Sequence, residues 1–399
     1  MSRQHHSPWS YYQDYMPAVV AGLISVIVNY GGTFILIFQA AQIAGLSPER
    51  TASWVWSISI GVGVTGILLS WRYKQPIITA WSTPAAAFLM TALASVPYAE
   101  AIAAYMLSAL AFVLLGMTGY FAKLIRWIPM SIASGLLAGI LLQFGIAVFA
   151  NISADPLLVI TLFLVYLIAK RLSARYAIVA VLGGGLILLC LQSAIDLSAF
   201  HFAFATPVFT APVFSLHALL SIALPLFLIT LTGQYMPGLL LLQNDGYRSN
   251  AKAIFTVTGC GSLLMAPFGS HAFNLAAITA AICTGADAHQ NPKKRWVAGI
   301  TAGLFYILVG LFGLSLAALF SAFPKAFMST LAGLALLGTI AGSLANALQH
   351  PRNREAALIT FLATAANINL FGIGGAFWGL VFGLVAYAIL QLSDRNQTQ

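Results

Sequence analysis

Apolar segments long enough to cross a lipid bilayer follow one another along almost the whole chain. Of the 399 residues, 60% are hydrophobic and only 7% are charged, and a soluble domain has no interior that could hide so much apolar surface. We predict an all-α, polytopic membrane protein. The predicted spans number fourteen, some of them short, and lie at about residues 17–44, 52–70, 77–96, 101–122, 128–150, 156–169, 176–194, 215–242, 253–267, 271–286, 296–320, 326–348, 356–370 and 372–392.

The positions of the basic residues predict how these spans are oriented. With the N-terminus inside and an even number of spans, sixteen of the eighteen Lys and Arg residues fall in cytoplasmic connections or tails, and only Arg50 and Lys325 fall outside. Cytoplasmic loops of membrane proteins carry such an excess. We therefore expect a multi-pass protein of the inner (plasma) membrane with both termini in the cytoplasm. The net charge of +9 then reflects topology and contact with membrane lipid, and we expect no nucleic-acid partner.

Short motifs recur in the two halves of the chain. Gln42-x-x-Gly45 closes the first span and Gln243-x-x-Gly246 closes the eighth, while Gly61-x-Gly63 lies in the second span and Gly259-x-Gly261 in the ninth. Seven spans per half is an odd number, so the second half would be inserted upside down relative to the first. We predict an inverted repeat, joined by the polar connection at residues 196–212.

Two apolar segments, the third and the tenth, are interrupted at matching places. The first break reads Trp81-Ser82-Thr83-Pro84, and the second reads Pro267-Phe268-Gly269-Ser270-His271. Thr83 suits the N-cap of a helix and Pro84 its first turn. A proline kink in an ordinary span is the alternative for one break alone, but paired breaks in two halves are typical of a transporter's substrate site. The start of a half-helix offers unpaired N–H groups and a positive dipole end to an anion.

His271 is the one histidine that we place at mid-membrane depth, and Asn274 follows it by three residues, which predicts the same helical face. Imidazole titrates near physiological pH and could couple a proton to an anion; the alternative is a neutral histidine that hydrogen-bonds between helices. We expect no carboxylate in the middle of the membrane that could relay a proton or repel an anion. The nine acidic residues all fall at loops or span ends: Asp14, Glu49, Glu100, Asp155, Asp196, Asp245, Asp287, Glu355 and Asp394.

Further polar side chains lie within the first and eighth spans. Gln234 and Tyr235 in the eighth, and Asn29 and Tyr30 in the first, are unfavourable in lipid unless they face protein or a cavity, so they either line a site or join helices. The three cysteines have neither a pairing pattern nor metal-ligand spacing. We expect no metal and no cofactor.

Three of these motifs together resemble a known family. The run Pro267–Cys283, with Gly233-Gln-Tyr-Met-Pro-Gly238 and Trp81-Ser-Thr-Pro84, resembles the benzoate–proton symporter (BenE-like) family over nearly the whole chain. That family is similar in fold to nucleobase permeases and to sulfate/bicarbonate transporters. The resemblance implies fourteen spans in a seven-plus-seven inverted repeat, with a short strand and then a half-helix at spans three and ten and the substrate between them.

The resemblance also implies two domains. Residues 15–127 (spans 1–4) and 213–322 (spans 8–11) would form a core domain, and residues 128–212 (spans 5–7) and 323–395 (spans 12–14) a gate domain. Nucleobase permeases have glutamates in spans eight and ten, at about the places where this sequence has Gln234 (or Gly233) and His271. This departure suits an anion better than a neutral nucleobase.

We therefore expect a secondary active transporter of an aromatic carboxylate, with benzoate as the leading candidate, working by proton symport and alternating access. The expected substrate-binding residues are Ser82, Thr83, Gln234, Tyr235, Ser270, His271, Asn274, Asn29 and Tyr30, and His271 would also couple the proton. Transport or exchange of another small anion or of a nucleobase is the alternative within this class. An integral membrane enzyme is disfavoured, because the sequence has neither zinc-binding His motifs nor carboxylate pairs. The oligomeric state stays open, with a homodimer as one candidate.

Overall fold

The computed structural model describes residues 8–121, 123, 129–193, 202–277, 279–371 and 373–395 of a mostly helical chain. The first half contains α1 (Pro8–Ile43), α2 (Pro48–Tyr73), β1 (Thr79–Trp81), α3 (Thr83–Ala92), α4 (Tyr98–Thr118), α5 (Met130–Ala150), α6 (Pro156–Leu172) and α7 (Ala177–Leu191). The second half contains α8 (Leu216–Asn244), α9 (Ala251–Met265), β2 (Phe273–Leu275), α10 (Ala280–Thr284), α11 (Trp296–Leu311), α12 (Gly313–Ser321), α13 (Lys325–Leu348), α14 (Arg354–Ala365) and α15 (Gly375–Arg395). Residues 196–201 of the predicted joint, including Asp196, lie outside the described residues.

Eight helices of the described chain are long and apolar enough to cross a membrane, which makes this a multi-pass membrane protein. Each of the fourteen apolar segments predicted from the sequence contains at least one helix, but several are shorter than a full span, so the count of fourteen stays a prediction. The eight long helices cover Asp14–Ile43, Pro48–Tyr73, Tyr98–Thr118, Met130–Ser153, Leu216–Asn244, Ala251–Phe268, Pro292–Leu311 and Lys325–Leu348.

The two Gln-x-x-Gly motifs end helices in the same way. Gly45 after α1 and Gly246 after α8 both have positive φ, at +64° and +85°, and glycine adopts this conformation without steric strain. The next N–H then turns back to a carbonyl of the last helical turn, from Leu46 to Ala41 (3.0 Å) and from Tyr247 to Leu242 (2.8 Å). The recurring motif is therefore a helix-ending signal that closes α1 and α8.

A short antiparallel ladder joins the two breaks. β1 pairs with β2 in the register Thr79↔Leu275, Ala80↔Asn274 and Trp81↔Phe273. The N–H of Ala276 donates to the carbonyl of Ile78 (2.8 Å), and the N–H of Ser82 donates to that of Ala272 (3.2 Å). Backbone at membrane depth must satisfy its polar groups within the protein, and this ladder does so for the chain on either side of each break.

Hydrogen bonds with α2 and α9 support the outer edges of the ladder. The Ser262 hydroxyl accepts from the Phe273 N–H and donates to the Phe273 carbonyl, both at 3.2 Å, while the Thr79 hydroxyl donates to the Val62 carbonyl at 2.7 Å. The buried Phe273 ring fills the space that two glycines leave open. A Cβ at Gly61 or Gly261 would stand only 2.4 Å or 2.9 Å from that ring, so these two glycines of the Gly-x-Gly motifs create the slot.

The second break agrees with one expectation and differs from another. The short strand and short helix that the resemblance implied are β2 and α10, but His271 and Asn274 do not share a helical face, because Ser270 and His271 are irregular and Asn274 lies in β2. The helix of this segment is the five-residue α10. The chain turns at Gly269, whose φ is +108°, and pairing with β1 satisfies the following backbone better than one helical turn would.

The helices pack in recurring pairs. α2 and α1 both pack against α11, and α4 packs against α9. Elsewhere α5 packs against α13 and α14, α14 against α15, and α6 against α7. We call α1, α2, α4, α9 and α11 the first group, and α5, α13, α14 and α15 the second group. Helix α3 contacts α1 of the first group and α5 of the second.

Candidate functional site

The start of α3 is buried inside the protein and carries the first candidate residues. Ser82, not Thr83 as predicted, is the N-cap: its hydroxyl accepts from the Ala85 N–H at 3.3 Å, and Thr83 is the first residue of the helix, followed by Pro84. Ser82 stands in the extended conformation in which an N-cap side chain reaches the first turn. The Thr83 hydroxyl does not cap the helix, and it has no hydrogen-bond partner among the described residues. The residue is nevertheless buried, with only 6% of its surface exposed.

Helix α8 passes directly beside this start. The Thr230 hydroxyl donates to that of Ser82 at 3.2 Å, and a Cβ at Gly233 would lie only 3.4 Å from the Pro84 ring. Residues Leu231–Tyr235 form a π-helical segment, a local widening that is frequent at functional sites. Gln234 in this segment is buried, and within the described chain its amide has no hydrogen-bond partner.

His271 lies on the other side of Ser82, before β2. Its Nδ1 accepts a hydrogen bond from the Trp54 indole N–H at 3.1 Å, and the two rings meet edge to face. The ring is fully buried, and its Nε2 has no hydrogen-bond partner in the described structure. The Ser82 carbonyl is close to the imidazole without forming a hydrogen bond of good geometry, and it already accepts from the Ala86 N–H at 2.9 Å.

Two further predicted residues use their polar groups within the break. With its amide oriented so that both ends are satisfied, Asn274 donates from the nitrogen to the Leu275 carbonyl at 2.9 Å, and its oxygen shares the Ser82 N–H with the Ala272 carbonyl, each at 3.2 Å. The Ser270 hydroxyl donates to the carbonyl of His271 at 3.0 Å. Both side chains are fully buried, so their polar atoms stabilise the chain around β2.

Tyr235 packs away from the start of α3. Its hydroxyl exchanges a hydrogen bond with Thr258 at 2.5 Å, and its ring contacts Phe112 and Phe255 at centroid distances of 4.8 Å and 4.3 Å. The side chain is fully buried in this aromatic cluster between α4, α8 and α9. The structure therefore gives Tyr235 a packing role, which its position beside Gln234 in the sequence did not reveal.

Asn29 and Tyr30 on α1 form a second layer behind β1. The Asn29 amide donates to the Tyr306 hydroxyl at 2.8 Å, and the Tyr30 hydroxyl shares a hydrogen bond with Ser59 at 2.5 Å. The Tyr30 ring lies 5.0 Å from that of Trp81, edge to face. These side chains hold α1, α2 and α11 against β1, and their polar atoms are already paired.

A cavity of about 160 Å³ lies along the C-terminal half of α3, between α3, α5, α8 and the chain from α14 to α15. Its polar lining includes Thr91, Gln143, Ser221 and Asn367, and Phe88 of α3 contributes an apolar wall. Gln143 also donates to the Ala365 carbonyl at 3.1 Å. The cavity therefore lies beside the same helix, α3, whose N-terminal start carries Ser82 and Thr83. It is located where the two groups of packed helices meet.

The described residues carry few charges away from the ends of helices. Glu49, Glu100 and Glu355 lie in first turns of helices, Asp155 is an N-cap and Asp245 a C-cap. No group of three or more His, Cys, Asp or Glu residues in the part of the chain that the structure describes could hold a metal ion. The polar chemistry around the start of α3 is therefore that of hydroxyl, amide and imidazole groups.

Sequence reasoning missed Trp54 and Thr230, the two side chains that contact His271 and Ser82. Trp54 lies in an otherwise ordinary apolar span, and Thr230 is one of several hydroxyl residues in α8. Neither has a local motif. Only the ladder between β1 and β2 brings residues of α2, α3 and α8 to one place, and that pairing joins segments from opposite halves of the chain.

Known proteins are similar to this chain along almost its whole length. Residues 13–389 match the family model described as benzoate membrane transport protein. The chain is 45% identical to the benzoate membrane transport protein of Acinetobacter baylyi, covering 95% of this chain and 96% of that protein. It is 40% identical to the inner membrane protein YdcO of Escherichia coli, covering 96% and 98% of the two chains.

Solved structures share the fold at low sequence identity. A structure of SLC26A9 aligns with a TM-score of 0.65 and 13% identity, over 96% of this chain and 66% of that one. The transmembrane domain of the cyanobacterial bicarbonate transporter BicA aligns with a TM-score of 0.60 and 14% identity, over 96% and 98%. The family match covers nearly the whole chain and predicts a membrane transporter, not an enzyme. This chain belongs to the family of benzoate membrane transport proteins.

Proposed function

We propose that this protein is a secondary active transporter that carries benzoate, or a closely similar aromatic carboxylate, across the inner membrane in symport with a proton. Its family membership and the name of its Acinetobacter relative support this substrate class. The structural observation that carries the proposal is the buried start of α3, where three polar groups form no hydrogen bond with any described residue. These groups are the Thr83 hydroxyl, the Gln234 amide and Nε2 of His271.

A carboxylate fits this arrangement chemically. The start of a helix carries a partial positive charge that favours an anion, and hydroxyl, amide and imidazole groups add hydrogen-bond donors. Ala85, Ala86 and Ala87 follow Pro84 and have only methyl side chains, which would let a flat ring come close to the helix backbone. The apolar side chains of Pro84 and Phe88 suit an aromatic ring. Of the residues proposed from the sequence, Thr83, Gln234 and His271 are therefore the strongest candidates for direct contact, with Ser82 as the cap beside them.

We also propose the fourteen-span, inverted-repeat architecture with both termini in the cytoplasm. Strands β1 and β2 pair antiparallel, so the chain runs in opposite directions through the two breaks, and this supports an inverted repeat. The packing of α1, α2, α4, α9 and α11 in one group, and of α5, α13, α14 and α15 in another, supports a core and a gate domain. Movement of one group past the other would expose the start of α3 to each side in turn.

Proteoliposomes with the purified protein test the transport proposal. We expect uptake of labelled benzoate that rises when an inward proton gradient is imposed and falls when an ionophore removes it. Uracil and bicarbonate serve as competitors that represent the alternative substrates. Competition by uracil, or exchange of another anion without benzoate uptake, would favour the second candidate class. Light scattering of the same sample measures whether the protein is a monomer or a homodimer.

A further inference from the structure

The hydrogen bond between Trp54 and His271 decides the chemical form of the imidazole. An indole N–H can only donate, so the nitrogen that faces it at 3.1 Å, Nδ1, must carry a lone pair. In the neutral ring the hydrogen is then on Nε2. Trp54 is fully buried, and Tyr98 and Tyr105 of α4 pack against its ring at 6.2 Å and 6.3 Å, so the indole has little freedom to turn away.

Protonation of this imidazole would break the contact. A second hydrogen could bind only at Nδ1, where it would point at the Trp54 N–H, and two donors would then face each other in a buried place. No carboxylate among the described residues forms an ion pair with His271 to compensate for the charge. Its remaining neighbours are neutral: the two phenols behind Trp54, and Ser82 on α3.

The Nε2–H group is the opposite case, because it is a buried donor without a hydrogen bond of good geometry. The Ser82 carbonyl lies near the imidazole but already accepts from the Ala86 N–H, and among the described residues Nε2 has no well-formed hydrogen bond and no access to solvent. Buried polar groups are nearly always paired, so an unpaired donor beside a proposed anion site points to a missing acceptor. A carboxylate oxygen is an acceptor only, and its charge makes the hydrogen bond stronger than one to a neutral group.

We propose that Trp54 holds His271 as the neutral tautomer with its hydrogen on Nε2, so that His271 binds the transported anion as a hydrogen-bond donor and does not carry the transported proton. This inference rests on the proposed function and changes one part of it, the sequence-based assignment of His271 to proton coupling. Trp54 is then a positioning residue, which acts on the substrate only through the imidazole.

The tautomer can be measured without transport, by NMR of protein labelled with ¹⁵N-histidine. The spectrum of His271→Gln identifies the signals of His271 among the seven histidines. We expect a neutral ring protonated on Nε2 throughout about pH 5–8, the range in which free histidines change charge. Trp54→Phe should give a mixture of tautomers, whereas Trp378→Phe, which removes an indole N–H that bonds the Leu370 carbonyl, should not. Imidazolium signals from His271 in the wild type at pH 6 would overturn the proposal.

Uptake by three variants then tests the role of the donor. The side-chain amide introduced by His271→Gln can place an N–H where Nε2–H stood but cannot titrate, whereas the shorter amide of His271→Asn and the methyl of His271→Ala cannot reach that place. We expect His271→Gln to raise KM less than either of the other two variants, and its uptake to respond to the proton gradient as that of the wild type does. The other two should raise KM roughly tenfold or more, the scale of one charge-assisted hydrogen bond.

Two results would contradict this. Loss of the gradient response in a His271→Gln protein that still transports would show that His271 carries the proton. A KM for His271→Gln as high as for His271→Ala, at an unchanged unfolding temperature, would show that the N–H donor is not needed. If the wild type neither binds nor transports benzoate, the proposed function fails, while the NMR spectra still decide the tautomer.

Discussion

Neighbouring hydroxyl groups at the start of α3 have different tasks. Ser82 accepts from the Ala85 N–H and from Thr230, and so holds the first turn of the helix and its contact with α8. Thr83, one residue later, has a hydroxyl that no described residue uses. A side chain that stabilises the fold and one that is available to a ligand thus lie next to each other, and substitution should separate their effects.

Thr83→Val replaces the free hydroxyl by a methyl group of similar volume. If this hydroxyl binds the carboxylate, KM for benzoate should rise roughly tenfold, as expected for a hydrogen bond to a charged group, while Thr83→Ser should stay near the wild type. Thr118→Val is a matched control, because its hydroxyl bonds only the Leu114 carbonyl at an exposed position. Proteoliposome uptake and the unfolding temperature measure both effects, and an unchanged KM in Thr83→Val would remove Thr83 from the site.

At the scale of single residues, the sequence predicted the location of the site better than the roles within it. The breaks stand out because Pro84 and Gly269 interrupt apolar runs, and both lie where predicted. Ser82 and Thr83 both have a hydroxyl that could cap the helix, and the backbone conformation decides between them. The cap is Ser82, not Thr83. Trp54 had no signal at all, since its role depends on contact with a residue 217 positions away.

At the scale of elements, the position of the ladder depends on the slot that Gly61 and Gly261 leave for the Phe273 ring. Gly61→Ala would place a Cβ 2.4 Å from the Phe273 ring, a distance that forces β2 or α2 to move. We expect a loss of about 1–3 kcal/mol in the free energy of unfolding together with reduced uptake. Gly338→Ala is the control, because nothing lies within 4 Å of its Cβ position. Phe273→Leu should restore part of the stability of Gly61→Ala, and a Gly61→Ala protein of wild-type stability and uptake would contradict the slot.

The short helix α10 is held at its end by a buried arginine. Arg295 donates from Nη1 to the Thr284 carbonyl and from Nε to the His289 carbonyl, both at 2.7 Å, and five residues of helix have little stability of their own. Burial raises the pKa of the nearby Tyr247 hydroxyl, and the positive charge of Arg295 opposes that rise. Arg295 thus holds the C-terminal end of the segment that follows β2, whereas the ladder holds its beginning.

Arg295→Met should therefore destabilise the protein by roughly 1–3 kcal/mol, because the His289 carbonyl loses its donor and the Thr284 carbonyl keeps only the long hydrogen bond from Tyr247 at 3.4 Å. Arg354→Met is a matched control: Arg354 also donates to a backbone carbonyl, that of Leu348 at 2.7 Å, but at an exposed position. Thermal unfolding in detergent compares the two. Equal unfolding temperatures for both variants would show that Arg295 does not stabilise the end of α10.

At the scale of the whole molecule, hydropathy predicted the helices well, because backbone in a bilayer has few alternatives to helix. Every predicted apolar segment contains helix, and its limits are close to those expected for α2, α5, α7 and α13. At the tenth segment hydropathy alone did not reveal β2, and the short strand followed by a short helix was expected there only from the family resemblance, which the structure bears out. Hydropathy cannot distinguish an apolar strand paired inside a protein from an apolar helix of the same length.

The proposed topology makes a direct prediction for the intact protein. An even number of spans places both termini on the cytoplasmic side, the side that carries most of the positive charge. A fluorescent protein fused after Gln399 should fluoresce in cells, whereas alkaline phosphatase fused there should be inactive. Fusions after Ser95, in the connection between α3 and α4, should give the opposite pattern. Active phosphatase at the C-terminus would rule out an even number of spans with the N-terminus inside.

The ladder between β1 and β2 also has a consequence for how the protein is made. Thr79–Trp81 leave the ribosome long before Phe273–Leu275; at roughly 5–20 residues per second the delay is about 10–40 s. During that time β1 has no partner, and unpaired backbone is costly in lipid. The third segment should therefore stay with the insertion machinery, or near the membrane surface, until the second half of the chain has been synthesised. Nascent chains stopped before β2 should then leave residues near Thr79 open to water-soluble reagents that cannot reach them in the finished protein.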